Sequence, residues 1–181
     1  MGEPGEQPKH GLVGFFTSAA GLVTAVVGLV SALLGLLAFS QNANPESHDP
    51  TLATWARKAD HVCERAHPPA TQALTTYLQG IQTGNLMLTA QGGQQLAQST
   101  QEAVNGLTAL PSPESRSADV SRFIAKWETA ARSAQDVMYS SQQSDPAAVN
   151  LAASRYNSAL VAGSEIARTL GADKCGEWTA S

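Results

Sequence analysis

Residues 12–40 read LVGFFTSAAGLVTAVVGLVSALLGLLAFS and contain no Asp, Glu, Lys, Arg or His. At a rise of about 1.5 Å per residue, a helix of this length extends for about 42 Å, which is enough to cross a hydrocarbon core of about 30 Å with some tilt. Only a helix or a closed barrel satisfies every backbone polar group in lipid, and one segment cannot close a barrel. The sequence therefore predicts a transmembrane helix over residues 11–40.

Small residues recur along one side of this predicted helix. Glycines stand at every seventh position, and a serine or alanine follows four residues after each of the first three. Small faces let two helix backbones approach closely in lipid, and a sustained seven-residue repeat favours a left-handed crossing. We expect pairing with itself or with another membrane helix, although glycine is also simply frequent in membrane helices. The predicted packing face comprises Gly14, Ser18, Gly21, Ala25, Gly28, Ala32 and Gly35.

The flanks of the span indicate its orientation. Residues 1–10 are polar and rich in Pro and Gly, so we expect a disordered tail, and residues 41–49 form a short linker. Lys9 and His10 precede the span, whereas no Lys or Arg follows it before Arg57. The positive-inside rule then places the tail in the cytoplasm and the following domain outside the plasma membrane.

Signal cleavage is the alternative to a retained anchor. Ala38 and Ser40 form a small-x-small pair that a signal peptidase accepts. However, the apolar run is about twice the usual length of about 7–15 residues, and its leading segment is poor in positive charge. We therefore favour an uncleaved single-pass anchor over a secreted protein.

Residues 50–181 are long enough for one domain with a sizeable core. They hold ten Lys and Arg against eleven Asp and Glu, so they offer no electrostatic footprint for nucleic acid. Ala, Gln, Ser and Thr are plentiful and alternating β-branched residues are absent, which favours helices. We expect an all-α fold in which the transmembrane helix precedes an antiparallel bundle of four or five helices.

Apolar residues at helical spacing, with caps and breakers, define the expected helices. Asp49 and Asp145 each precede a proline and should begin a helix. We expect the pair Pro68-Pro69 to end the first helix, and the pair Gly92-Gly93 to kink or break the third. The expected helices cover residues 50–67, 69–83, 86–110, 113–141 and 146–170.

Cys63 and Cys175 are the two cysteines of the chain, one near each end of the domain. If they pair, they tie the first helix to the C-terminal residues, and closing such a loop stabilises the fold by about 4–5 kcal/mol in the chain-entropy model. A bond of this kind persists in an oxidising compartment. The alternative is two unrelated buried thiols in a cytosolic domain.

No motif for catalysis or cofactor binding is present. Glu64-x-x-His67 matches half of the ligand set of a di-metal bundle, but the second copy is missing, so we interpret it as a charged outer face. His61 is isolated, the cysteines lack zinc or redox spacing, and no P-loop, G-x-G-x-x-G or G-x-S-x-G occurs. We expect no enzyme activity, no cofactor and no metal site.

Trp55-x-x-x-Ala59-Asp60-x-x-Cys63, followed late in the chain by Gly171 and Cys175, resembles a pattern in uncharacterised exported and membrane-anchored helical proteins of actinobacteria. The resemblance implies an envelope location and pairing of the two cysteines. It carries no catalytic residue over, because none is assigned in that group.

Two hypotheses for function follow. In the first, the outward bundle binds an envelope protein or a small ligand while the span sits in the lipid bilayer. In the second, the chain is an accessory or structural subunit of a larger membrane complex. An enzyme without a recognisable motif is a third and weaker hypothesis.

Replacing both Gly21 and Gly28 with Leu should abolish pairing of the span in a membrane two-hybrid assay, because the larger side chains hold the two backbones apart. Leu22→Ala and Leu29→Ala, on the side expected to face lipid, serve as controls and should pair normally. An unchanged signal from the glycine variant would refute the predicted packing face.

Overall fold

A computed structural model describes residues 50–178, which are helical for most of their length and contain no strand. This confirms an all-α fold with four or five helices in this part of the chain. The predicted tail, the transmembrane helix with its packing face, and the linker all lie outside the described residues. The helices are α1 Pro50–Thr83, α2 Leu86–Thr108, α3 Ser117–Gln142, α4 Pro146–Thr169 and the short α5 Asp173–Gly176, with a 3-10 turn at Glu114–Arg116.

Tight connections make successive long helices antiparallel. Gly84 adopts a positive φ of 65° after α1, and the Asn85 side chain accepts hydrogen bonds from the first backbone amides of α2. Asp145 caps α4 in the same way, with Pro146 at its first position. Chain reversals of this length place consecutive helices side by side, and α1 packs on α2, α2 on α3, and α3 on α4.

The expectation that Pro68 and Pro69 end the first helix is wrong, because α1 continues through both. A proline nitrogen cannot donate to the carbonyl four residues earlier, so two carbonyls, those of Glu64 and Arg65, lose their helical partner. Both prolines and both of these residues are exposed, so water can hydrate that side of the helix. The opposite side stays buried and packed, and this packing outweighs a cost of about 3 kcal/mol per proline.

The expectation of a kink or break at Gly92 and Gly93 is also wrong, since α2 is continuous. Both glycines are buried where α2 meets its neighbours. A Cβ built on Gly92 would lie 2.4 Å from the backbone nitrogen of Tyr77 in α1, and one on Gly93 would lie 2.9 Å from Cγ1 of Val137 in α3. The two glycines therefore permit close approach of three helices.

The core forms two apolar clusters along the bundle. The first surrounds Phe123 and Trp127 of α3, both fully buried, and reaches from Trp55 of α1 to the C-terminal residues. Ring contacts run through it, with centroid distances of 6.1 Å from Trp55 to Phe123 and 5.8 Å from Phe123 to Trp127. The second cluster, around Tyr77, lies nearer the turns that join α1 to α2 and α3 to α4. Buried apolar residues of all four long helices contribute to this core.

None of the helices in residues 50–178 combines the length and apolar content needed to cross a membrane.

Gly92→Ala should lower the free energy of unfolding by about 1–3 kcal/mol, because the added methyl group meets backbone atoms that cannot rotate away. Helix propensity alone predicts the opposite sign, a gain of up to about 1 kcal/mol. Urea denaturation followed by far-UV circular dichroism measures the difference. Gly106→Ala is the matched control and should cost less, since its methyl group meets only the side chain of Val62. A stabilised Gly92→Ala variant would contradict the close approach of α1 and α2.

Candidate functional site

The seam between α1 and α4 is the one side of the four-helix arrangement where neighbouring helices barely touch one another in the described residues. Residues 172–178, here called the strap, follow α4 and pack against both helices. The strap fills the part of the seam next to the first core cluster. The remaining part of the seam, toward Tyr77, stays open.

The strap begins with a reversal of the chain and a cap from α1. Gly171 adopts a positive φ of 74°, and the chain then turns back along the bundle. Oδ1 of Asp60 accepts hydrogen bonds from the backbone nitrogens of Lys174 at 2.8 Å and Cys175 at 3.4 Å, so an α1 side chain caps the short helix α5. Partial burial raises the pKa of Asp60, although the two amide donors act in the opposite direction.

A disulfide bond joins Cys63 of α1 to Cys175 of the strap, as expected from the sequence. Both cysteines are fully buried. Beyond the bond, Nε1 of Trp178 donates a hydrogen bond of 3.2 Å to the carbonyl oxygen of Cys63, and Nη2 of Arg168 donates one of 2.9 Å to the carbonyl oxygen of Gly176. Covalent and polar contacts therefore hold the strap at both of its ends.

The Trp178 side chain packs the strap against the aromatic residues of the core. Its ring centroid lies 4.5 Å from that of Trp127, and it meets His67 edge-on at 5.9 Å. Only 7% of its surface is exposed. Because Trp178 also borders the open part of the seam, it forms a wall between the core and a crevice.

The crevice lies between α1 and α4 and encloses about 70 Å³. Its lining is mainly apolar and, within residues 50–178, includes no carboxylate, lysine, arginine or cysteine. It opens to solvent and has the buried side chains of α2 and α3 as its floor. The lining residues are His67, Ala70, Thr71, Leu74, Tyr77, Leu96, Ala134, Val137, Ala153, Tyr156, Asn157, Leu160 and Trp178.

Several polar side chains interrupt this apolar lining. Tyr77 is only 5% exposed, and its hydroxyl makes no hydrogen bond to another residue within 50–178. Burial raises the pKa of Tyr77, and burial raises that of Tyr156 to about 12, so both phenols are protonated at neutral pH. The amide of Asn157 likewise has no hydrogen-bond partner in the described residues, whereas Thr71 donates to the carbonyl of His67.

The size of the crevice limits what it can hold. An engineered apolar cavity of about 150 Å³ accommodates benzene, and sites for drug-sized ligands or cofactors occupy about 300–1,000 Å³. At about 70 Å³ the enclosed space takes a short alkyl group or part of a ring, with the rest of the ligand at the open mouth. The crevice alone is therefore too small to enclose a nucleotide-sized cofactor.

Other candidate residues from the sequence lie elsewhere. Glu64 is exposed and pairs with His61 at 3.4 Å, while His67 faces Trp178. No group of three or more potential metal-ligating residues occurs in the described part of the chain. Trp55 and Trp127 are core residues.

Sequence reasoning missed Trp178, the cap from Asp60 and the crevice itself. Trp178 follows the last helical pattern and belongs to no periodic stripe, so only its aromatic character marked it. No local pattern indicates the cap from Asp60, because its amide partners lie more than a hundred residues away in the sequence. The crevice arises from missing contact between two helices, which no local pattern reports.

Comparisons of the chain with protein-family models, with curated proteins and with solved structures find no match.

The stability of the protein should fall at high pH because of Tyr156. The unfolded chain ionises its tyrosines near pH 10, while the folded state keeps this proton until about pH 12. The native state then binds more protons than the unfolded state, so the free energy of unfolding falls across this interval, by about 2 kcal/mol for a partly exposed phenol. Urea denaturation between pH 8 and pH 12 measures the loss. Tyr156→Phe lacks the ionisable group and should show a flatter profile; parallel profiles would contradict the assignment.

Proposed function

We propose that this protein is a single-pass membrane-anchored binding protein, whose helical bundle lies on the extracytoplasmic side and binds a partner or small ligand in the crevice. The crevice between α1 and α4 is the observation that carries the proposal. The apolar run at residues 12–40 supplies the anchor, and the bundle begins ten residues later.

An open apolar crevice argues for binding because its lining is in contact with water until a ligand covers it. Removing apolar surface from water is favourable in proportion to the area removed. Both core clusters supply the lining, with Leu160 and Trp178 from the first and Leu96 and Val137 from the second. A concave apolar surface with a few polar groups is the usual form of a ligand site.

The disulfide supports an extracytoplasmic location. Disulfide bonds persist in oxidising compartments and are rare in the cytosol. Cys63 and Cys175 are joined across the seam, and the described residues contain no free cysteine. Lys9 and His10 on the other flank of the span favour a cytoplasmic tail, which agrees with this side for the bundle.

Binding is favoured over catalysis by the chemistry of the lining. General acids, bases and nucleophiles are most often His acting with a carboxylate, a cysteine, a lysine or a hydroxyl placed in hydrogen-bond reach. His67 is the histidine of the lining, its ring meets that of Trp178 edge-on, and the described lining holds no carboxylate, lysine or cysteine. The lining therefore suits recognition by shape and hydrogen bonding.

A role as an accessory subunit of a larger membrane complex is the second candidate. The repeat of small residues from Gly14 to Gly35 favours it, since such a face lets another membrane helix pack closely. In that case the bundle would still present the crevice to the same extracytoplasmic side.

Single-cysteine labelling in intact cells tests the proposed topology. A cysteine at exposed Ala118 should react with a membrane-impermeant maleimide in intact cells, because the proposal places the bundle outside. A cysteine at Glu6 should react only after lysis, because the proposal places the tail inside. The unsubstituted chain is the control and should remain unlabelled, since its two cysteines are joined.

The reverse labelling pattern would overturn the proposed orientation. Release of the Ala118→Cys variant into the medium without its first forty residues would instead identify a secreted protein and exclude the anchor. Labelling of the unsubstituted chain would contradict the disulfide in cells.

A further inference from the structure

The Tyr77 hydroxyl is a hydrogen-bonding group that is available in the crevice. Tyr77 is only 5% exposed and lines the crevice, yet its hydroxyl has no hydrogen-bond partner in the described residues. Solvent still reaches this oxygen through the crevice, so a ligand with a hydrogen-bonding group replaces water at Tyr77 and loses no hydrogen bond. Asn157, across the seam on α4, adds an amide without a partner in the described residues.

The ligand that complements this crevice is uncharged. Among the described residues that line the space there is no carboxylate, so a cationic group would enter without a counter-charge and lose its hydration. No lysine or arginine of the described lining faces an anion either, and His67 is its one other ionisable group besides the two tyrosines. A single hydroxyl, carbonyl or amide group, in contrast, meets a phenol that donates and accepts hydrogen bonds. Leu74, Leu96, Val137 and Leu160 surround the rest of the ligand with apolar contacts.

We propose that the crevice binds a small neutral amphiphile, with a short alkyl or aryl body among the leucines and one hydrogen-bonding group at Tyr77. This inference rests on the proposed function as a binding protein and names the chemical class of its ligand. Because the enclosed volume is about 70 Å³, a body of a few carbons fills it and a longer body extends past the mouth.

Trp178 makes occupancy measurable. It lines the crevice, and its ring lies 4.5 Å from that of Trp127. The probes are bromoalkanols of three to eight carbons, whose bromine quenches tryptophan fluorescence on contact. The full-length chain is held in lipid nanodiscs, empty nanodiscs correct for partition into lipid, and equilibrium dialysis gives the free probe concentration.

Affinity should increase about fourfold for each added methylene while the chain fits, and then level off once the enclosed space is full. Bromoalkylamines of equal length, which are protonated at neutral pH, should bind about a hundredfold more weakly, because no carboxylate of the described lining pairs with their charge. Tyr77→Phe should weaken the alkanols about fivefold and leave bromoalkanes of equal size unchanged, because it removes only the hydroxyl.

Leucine substitutions at two alanine positions test the location of the site. Ala153→Leu adds bulk inside the crevice and should abolish saturable quenching, whereas Ala125→Leu, on an exposed position of α3, should not change it. Thermal unfolding followed by circular dichroism identifies any variant that fails to fold, and in that case Tyr77→Phe alone decides the inference.

Two contrary results would overturn different parts of the proposal, either the crevice as the binding site or the class of its ligand. Equal quenching of Ala153→Leu and Ala125→Leu would remove the crevice as the site and with it the binding part of the proposed function. If Ala153→Leu abolishes quenching but neither Tyr77→Phe nor the charged probes differ from their controls, the crevice binds but the proposed ligand class is wrong. Neither result depends on the side of the membrane where the bundle lies.

Discussion

The covalent link between α1 and the strap is the constraint on which the seam depends. Cys63 lies on the inner side of α1, and Cys175 holds residues 172–178 against it. Without this link, a short segment with a four-residue helix has little to hold it, because isolated helices of that length are unstable in water. The disulfide, the cap from Asp60 and the hydrogen bond from Trp178 together convert a C-terminal extension into part of the core.

Helices approach one another closely at the α1–α2, α2–α3 and α3–α4 contacts, and the crevice opens on the remaining side, between α1 and α4. Glycines lie where α2 meets α1, where α2 meets α3, and, at Gly163, where α4 meets α3. At each contact the backbone of one helix approaches a side chain or the backbone of its neighbour. The α1–α4 seam is filled instead by the strap, and Trp178 of the strap lines the crevice.

Most of the bundle could be predicted from periodicity and capping, because both are local. Apolar residues at helical spacing in α1, such as Leu52, Ala59 and Val62, are buried, and α4 begins at Pro146 behind its Asp145 cap. The errors at Pro68-Pro69 and Gly92-Gly93 share one cause: local propensity was overridden by packing against neighbouring helices. The crevice could not be predicted, because it lies where α1 and α4 lack contact, and the pattern within one helix does not report its contacts with another. The same reason applies to the Tyr77 hydroxyl, which has no hydrogen-bond partner in the described residues.

Trp178 belongs to the core and to the crevice, and this shared role links the stability of the strap to binding. A ligand that contacts Trp178 binds only the folded arrangement and therefore stabilises it. At ligand concentrations above the dissociation constant, the gain in the free energy of unfolding increases with the logarithm of the concentration. Conversely, loosening the strap removes one wall of the crevice together with a ring that packs 4.5 Å from Trp127. The bond between Cys63 and Cys175 thus maintains both the fold around Trp127 and the shape of the proposed site.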